Sequence, residues 1–174
     1  GAEKKSTGTT LMFATIARSA ALYGKGQIRE ALEVVLQGLA IDPDNVVLLN
    51  HRGVLAATLR DWVTAEAAYR CAIAAKPDFA QAHSNLGVLL QGQERLEEAE
   101  VAYRGAIAAK PDYAEAHYNL GNLLKEQKRP EAAEAAYRCA IAVNPDFAEA
   151  HSNLGNLLKE QARRGEAEAA YRGA

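Results

Sequence analysis

Three histidines recur at a fixed interval in this chain: His83, His117 and His151 stand 34 residues apart. Imidazole is a common metal ligand, so a row of them raises the question of shared coordination. Metal–nitrogen bonds are about 2 Å long. Equivalent side chains of a stacked repeat stand a whole repeat apart, too far to share an ion. The spacing therefore favours half-buried packing histidines, and no metal is expected. Cys71 and Cys139 lie 68 residues apart, twice the same interval. They are too distant for a disulfide, whose Cα atoms must approach within about 7 Å. Free thiols point to a reducing compartment, so a cytoplasmic location is expected. Gly24-Lys25-Gly26 reads as a turn between helices, not as a phosphate-binding loop, and neither HExxH nor GxSxG occurs. Glutamates are abundant, but they recur with the period, and no unique pair is set apart to act as acid and base. The chain is accordingly expected to be no enzyme, with no catalytic residue and no cofactor.

Composition narrows the partner class further. The 174 residues carry 20 basic and 22 acidic side chains, a net charge of −2. That balance supplies no long-range field to draw in nucleic acid or an anionic membrane. No apolar run approaches the length of a membrane span, so no membrane insertion is expected. The hydrophobic fraction is 49% but the aromatic fraction only 6%, which favours closely packed, alanine-rich helices. The opening GAEKKSTGTT is polar and lacks a signal-peptide core, so residues 1–8 are expected to be a disordered leader or an expression remnant.

The elements that position these residues follow from the period. Pro43, Pro77, Pro111 and Pro145 are spaced by 34, each followed by aspartate, and Tyr69, Tyr103, Tyr137 and Tyr171 keep the same interval. Between 111–140 and 145–174, 23 of 30 positions are identical, which chance does not produce. A fixed period of this size marks a solenoid with one supersecondary unit per repeat. Each unit holds two helices. In 111–144, Asp112 is placed to cap the first helix, with Glu115 completing a capping box. Ala116, Leu120 and Leu123 or Leu124 recur at helical spacing, and the helix should end near Gln127. Pro130 then suits the start of a second helix running to Val143, which the next Pro145 terminates. Glu66–Arg70, Glu100–Arg104, Glu134–Arg138 and Glu168–Arg172 are favourable i, i+4 pairs, expected on the solvated outer face.

These residues resemble the tetratricopeptide repeat pattern: a small residue in the first helix, then alanine, aromatic, alanine and proline. They are Gly121, Ala133, Tyr137, Ala140 and Pro145 in the fourth unit, and Gly87, Ala99, Tyr103, Ala106 and Pro111 in the third. The second has Gly53, Ala65, Tyr69, Ala72 and Pro77. The first unit departs from the pattern, with Ser19 for glycine, Val35 for tyrosine and Gly38 for the second alanine. Arg18 and Arg52 replace the leucines found at 86, 120 and 154, and are expected to pack their stems and extend their heads to water. The resemblance implies an all-α, right-handed superhelical solenoid of antiparallel helix pairs. It would comprise about five units (9–42, 43–76, 77–110, 111–144 and a truncated 145–174) in one solenoid over 9–174.

The resemblance also implies a protein-interaction scaffold, with first helices lining a concave groove that takes an extended peptide or a helix. The groove candidates are Gln81, Ser84, Asn85, Val88 and Gln91 in the third unit. The fourth offers Glu115, Tyr118, Asn119, Asn122, Lys125 and Glu126. The fifth offers Glu149, Ser152, Asn153, Asn156, Lys159 and Glu160, and the second Val47, Asn50, His51, Val54 and Thr58. Asn85, Asn119 and Asn153 give one amide per repeat, able to donate to a carbonyl and accept from an N–H. That row is similar to the asparagine ladder of O-linked N-acetylglucosamine transferases, which NLGNLLKEQ and AEAAYR also resemble. The alternative is that the asparagines bond to neighbouring helices and shape the stack. The clamp that some arrays use for acidic chaperone C-termini needs lysines where this chain has Asn50, Ser84, Tyr118 and Ser152, so tight binding of such peptides is not expected. Two other functional readings stay open: the substrate-recruiting arm of a larger enzyme such as a glycosyltransferase, and a self-assembling structural or engineered array. The chain stops inside a second helix, which suggests a fragment able to associate end to end. The small residues of the pattern exist to let helices approach. Ala133→Leu should therefore overpack the contact by about 1–3 kcal/mol, and an unchanged melting temperature would contradict this register.

Overall fold

The computed structural model describes residues 2–173, without the side chains of residues 2–9 and 164. The leader expected over 1–8 falls outside the described side chains, although the backbone is helical from Ala2. The helices run in chain order α1 (Ala2–Gly24), α2 (Ile28–Ile41), α3 (Val46–Thr58), α4 (Trp62–Ala75), α5 (Ala80–Gly92), α6 (Leu96–Ala109), α7 (Ala114–Glu126), α8 (Pro130–Val143), α9 (Ala148–Glu160) and α10 (Arg164–Arg172), with no strand among the described residues. Odd-numbered helices are the first, and even-numbered the second, of each 34-residue pair. The chain divides into two compact units, Gly1–Leu89 and Leu90–Ala174, with the boundary inside α5.

The N-terminal unit is built on aliphatic packing. Ala31, Val35, Leu39, Leu48, Leu49, Leu55, Ala72 and Ala82 form its buried cluster, joined by Met12, Ile16 and Phe79 at the margin. Ser19 is fully buried where the repeat pattern has glycine, and its hydroxyl donates to the Ala31 carbonyl at 3.1 Å. That bond removes the cost of an unsatisfied buried hydroxyl. Gly38 is equally constrained, because a Cβ there would lie 2.6 Å from Leu48 Cδ1 and 2.9 Å from Thr15 Cγ2. Arg18 is exposed and Arg52 half-buried, while Leu86, Leu120 and Leu154 are buried.

In the C-terminal unit the pattern of small residue and tyrosine is direct contact. A Cβ on Gly121 would stand 2.6 Å from the Tyr137 ring, and one on Gly155 2.6 Å from Tyr171. Gly53 and Tyr69 repeat the arrangement in the N-terminal unit. Ala133 and Tyr137 are both 0% exposed, so nothing beside them can yield to a larger side chain.

The helix starts differ from the sequence expectation. Asp112 does not cap α7. The N-cap is Tyr113, with no side-chain cap bond, and Asp112 sits inside a turn closed by Tyr113 N–H to Lys110 C=O at 3.1 Å. Proline favours the second position of such a turn, and aspartate follows it there. The Pro-Asp pair therefore bends the chain between repeats, and Glu115 is left exposed. Side-chain caps do occur in the N-terminal unit, where Asn45 accepts from Leu48 N–H at 3.2 Å and Asp61 from Thr64 N–H at 3.1 Å. The second-helix start matches expectation, with Pro130 in the first turn of α8.

Each first helix ends on a residue of positive φ: Gly26 (75°), Arg60 (62°), Glu94 (61°), Lys128 (58°) and Ala162 (61°). After α7, Arg129 N–H bonds to Leu124 C=O at 2.9 Å and Lys128 N–H to Lys125 C=O at 3.0 Å, a Schellman-type ending. Four of these five positions hold a side chain where glycine would be unstrained.

The glutamate–arginine pairs are more than outer-face decoration. Glu100 bonds to Arg104 at 2.8 Å and also to Arg129 of the following repeat at 2.7 Å. Glu134 likewise holds Arg138 at 2.8 Å and Arg163 at 2.7 Å. The carboxylate sides are only 17% and 15% exposed. Glu168–Arg172, at 3.9 Å and exposed on both sides, is the solvated pair that was expected of all four. Burial pushes the Glu100 carboxyl up, but hydrogen bonds from Arg104 and Arg129 outweigh it and hold the group below the ordinary glutamate range.

Two outcomes follow. Lys128→Gly should stabilise the chain by about 1 kcal/mol by relieving a left-handed side-chain conformation; a lower urea midpoint would contradict it. A carboxyl whose pKa is depressed on folding stabilises above its unfolded value and loses that contribution as pH falls through the folded one. Thermal stability should therefore decline on acidification below the ordinary glutamate range, with a shallower decline for Glu100→Gln. Identical acid limbs for the two proteins would remove Glu100 from this role.

Candidate functional site

The groove candidates fall into two sets, one per unit. In the N-terminal unit Gln81 is exposed and Asn85 half-buried, with Asn85 Nδ2 donating to Asn50 Oδ1 at 2.9 Å. Ser84 is only 4% exposed. It is a packing residue, too enclosed to meet a ligand, and this corrects the expectation. His51 stands edge-on to Tyr23 at 6.2 Å between ring centres, and burial lowers its pKa. His83, His117 and His151 each place Nε2 2.8–2.9 Å from the carbonyl of the proline six residues earlier. A carbonyl only accepts, so each ring donates from Nε2 and ties the first turn of its helix to the inter-repeat bend. Among the described residues no group of three or more His, Cys, Asp or Glu side chains could hold a metal ion. Cys71 and Cys139 are free and exposed.

In the C-terminal unit α7 and α9 bring most candidates together. Asn153 Nδ2 donates to Tyr118 Oη at 3.2 Å and to Asn122 Oδ1 at 2.9 Å, using both its hydrogens. Tyr118 is half-buried, its ring 5.0 Å from Phe147 and 6.1 Å from Tyr137, centre to centre. Lys125 pairs with Glu160 at 3.0 Å, and Gln91 Nε2 donates to Glu126 at 2.8 Å. The ammonium is thus engaged within the protein. Glu115, Glu149, Asn156 and Lys159 are exposed, and Ser152 is half-buried. Asn119 is half-buried, and its amide makes no hydrogen bond to the described residues.

The sequence reading missed the tyrosine hydroxyls. Tyr137 Oη donates to Asn122 Oδ1 at 2.8 Å, and Tyr171 Oη to Asn156 Oδ1 at 2.6 Å. The ring fills the gap between helices while its hydroxyl emerges among the candidate groove amides. Burial pushes the Tyr137 phenol up to about 12, so it remains a donor throughout the neutral range. In the third repeat Val88 replaces that asparagine, and Tyr103 Oη instead donates to Gln91 Oε1 at 2.9 Å. The available signal was the choice of tyrosine at all four positions, since phenylalanine would fill the gap equally well.

Helix pairs with this packing define a helical-repeat fold, and comparison with known proteins gives the family. Tetratricopeptide repeat models match residues 16–78 and 114–147, and a TPR repeat model matches 92–128. The chain belongs to the tetratricopeptide repeat family, whose members generally mediate protein–protein interaction. No curated protein matches the sequence. Solved structures share the fold. One titled for functional characterisation of Pseudomonas aeruginosa pilF superposes with a TM-score of 0.90 at 22% identity, over 96% of this chain and 76% of that one. MamA from Desulfovibrio magneticus RS-1 gives 0.77 at 20%, covering 93% and 92%. A thermophilic TPR protein from Thermus thermophilus gives 0.72 at 23%, covering 92% and 88%. No helix among the described residues is long and apolar enough to cross a membrane.

Proposed function

We propose that this chain is a protein-interaction scaffold whose C-terminal unit holds an extended peptide against α7 and α9. The observation that carries the reading is Asn119. Its amide has no partner among the described residues and its polar atoms are open to solvent, so a peptide backbone can meet both its donor and its acceptor. Asn153 contributes less, because its amide hydrogens are committed to Tyr118 and Asn122 and only Oδ1 remains. Each asparagine of the row thus has its own role. Asn85 and Asn153 link neighbouring repeats, and Asn119 is presented to a ligand. The charged neighbours support an uncharged stretch of ligand here, since Lys125 is already neutralised by Glu160.

The test uses a peptide selected from a random displayed library on the immobilised chain. Asn119→Ala should weaken its binding about three- to tenfold, the worth of one or two hydrogen bonds, with the melting temperature unchanged. Asn153→Ala should lower the melting temperature as well, because it removes two inter-repeat bonds. Unchanged affinity in Asn119→Ala would refute the reading.

A further inference from the structure

A pocket of about 510 Å³ opens at the start of α2, lined by Gly26, Ile28, Arg29, Glu30, Glu33 and Leu59. All six belong to the N-terminal unit, so the pocket shares no residue with α7 or α9. Its origin follows from the repeat register. Glu30 is the equivalent of Glu98 and Glu166. Each of those carboxylates is held by an arginine three residues earlier through two parallel bonds. Arg95 Nε and Nη2 reach Glu98 at 2.8 and 2.7 Å, and Arg163 Nε and Nη2 reach Glu166 at 3.0 and 2.6 Å. Three residues before Glu30 the chain has Gln27 instead. The neighbouring wall is also bare. Gly26 stands where later repeats have Glu94, Lys128 and Ala162, and nothing lies within 4 Å of the place its Cβ would take. Leu59 is the equivalent of Gln127, which accepts from Arg129 at 3.0 Å, so a polar wall has become apolar. Asp61 replaces that bridging arginine, and its Oδ1 is engaged by Thr64 N–H. Among the described residues, the side chains of Glu30 and Glu33 make no hydrogen bond or ion pair. Arg29 makes none either, and it precedes Glu33 by four residues, the less favourable order for a helical pair.

We infer that this pocket docks a partner protein through an arginine that stands beside a large apolar side chain. The guanidinium takes the place over Glu30 that Arg95 and Arg163 fill in their own repeats, and Glu33, one turn along α2, adds a second acceptor. Arginine fits because its fork matches a carboxylate with two parallel bonds, which lysine cannot do. The lining holds two carboxylates and one guanidinium, so a cation is favoured over an anion. The apolar neighbour packs on Ile28 and Leu59. Beyond them the surface stays apolar, with Leu36, Trp62 and Val63 all exposed. Where later repeats place charge at the positions of Leu32 and Leu36, this one offers aliphatic groups. An arginine flanked by apolar contacts is the usual anchor of a protein interface. The site uses α2 and the turn between α3 and α4, and it stands whether or not α7 and α9 hold a peptide.

The probes are capped heptapeptides with a central arginine and varied apolar residues on both sides. The tightest is remade with citrulline at the centre, which keeps the shape and removes the charge. Titrated into the full chain, the arginine peptide should move the amide signals of Gly26, Glu30, Glu33 and Leu59 and the indole signal of Trp62. Citrulline should weaken binding about three- to tenfold, the worth of a charge-assisted hydrogen bond. Glu30→Gln should lose a similar factor with the melting temperature unchanged. Gln27→Arg supplies the missing guanidinium from within the chain. It should abolish binding while the melting temperature holds or rises. Equal binding of the citrulline peptide, unchanged binding by Gln27→Arg, or no saturable shift at millimolar peptide would each overturn the inference. Shifts confined to α7 and α9 would overturn it as well, and would leave the groove reading standing.

Discussion

Everything in this molecule depends on how closely two helices can approach within a repeat. Gly53, Gly121 and Gly155 face Tyr69, Tyr137 and Tyr171 so tightly that a single methyl group on the glycine would enter the ring. Because the approach distance is fixed there, the tyrosine is long enough to cross the helix pair. At Tyr137 the ring is excluded from water while its hydroxyl reaches the first-helix face. A wider pair would leave a cavity around the ring, and a narrower one would leave no space for it. The same contact thus sets the core and orients polar groups on the candidate binding surface through one side chain.

Between repeats the forces change character. In the C-terminal unit Glu100 and Glu134 each hold an arginine of their own helix and one from the next repeat. Isolated exposed pairs contribute little. Here the carboxylates are mostly enclosed and the arginines arrive from two directions, so each bridge fixes how one pair sits on the next. In the first repeat the equivalent of the glutamate–arginine pair is Leu32 and Leu36: Leu32 packs against the aliphatic cluster, and Leu36 is exposed.

Architecture was legible in the sequence because it repeats. The spacing of proline and tyrosine located the helix pairs to within a residue or two, and Pro130, Gln127 and Val143 fell where their backbone preferences require. The caps were not legible. Asp112 satisfies the local rule for an N-cap, but Pro111 before it commits both residues to a turn, and the helix begins later. The left-handed residues at 60, 94, 128 and 162 gave no signal, since arginine, glutamate, lysine and alanine do not advertise positive φ. At the candidate site the period identified which positions share a face, but not which amides are already bonded. Asn85, Asn119 and Asn153 stand in nearly the same sequence context. Asn85 meets Asn50, whereas Asn153 meets Tyr118 and Asn122, a difference the period does not carry, and Ser84 is enclosed where the exposed reading of its position would leave it open.

The two thiols carry a consequence of a practical kind. Cys71 and Cys139 occupy the same register position two repeats apart, both exposed, one in each compact unit. Neither is needed for the buried contacts between glycine and tyrosine or for the arginine bridges. The chain is therefore already equipped for paired spin or fluorophore labels, one in each compact unit, and a distance distribution between them can be measured free and with a ligand bound without introducing a new cysteine.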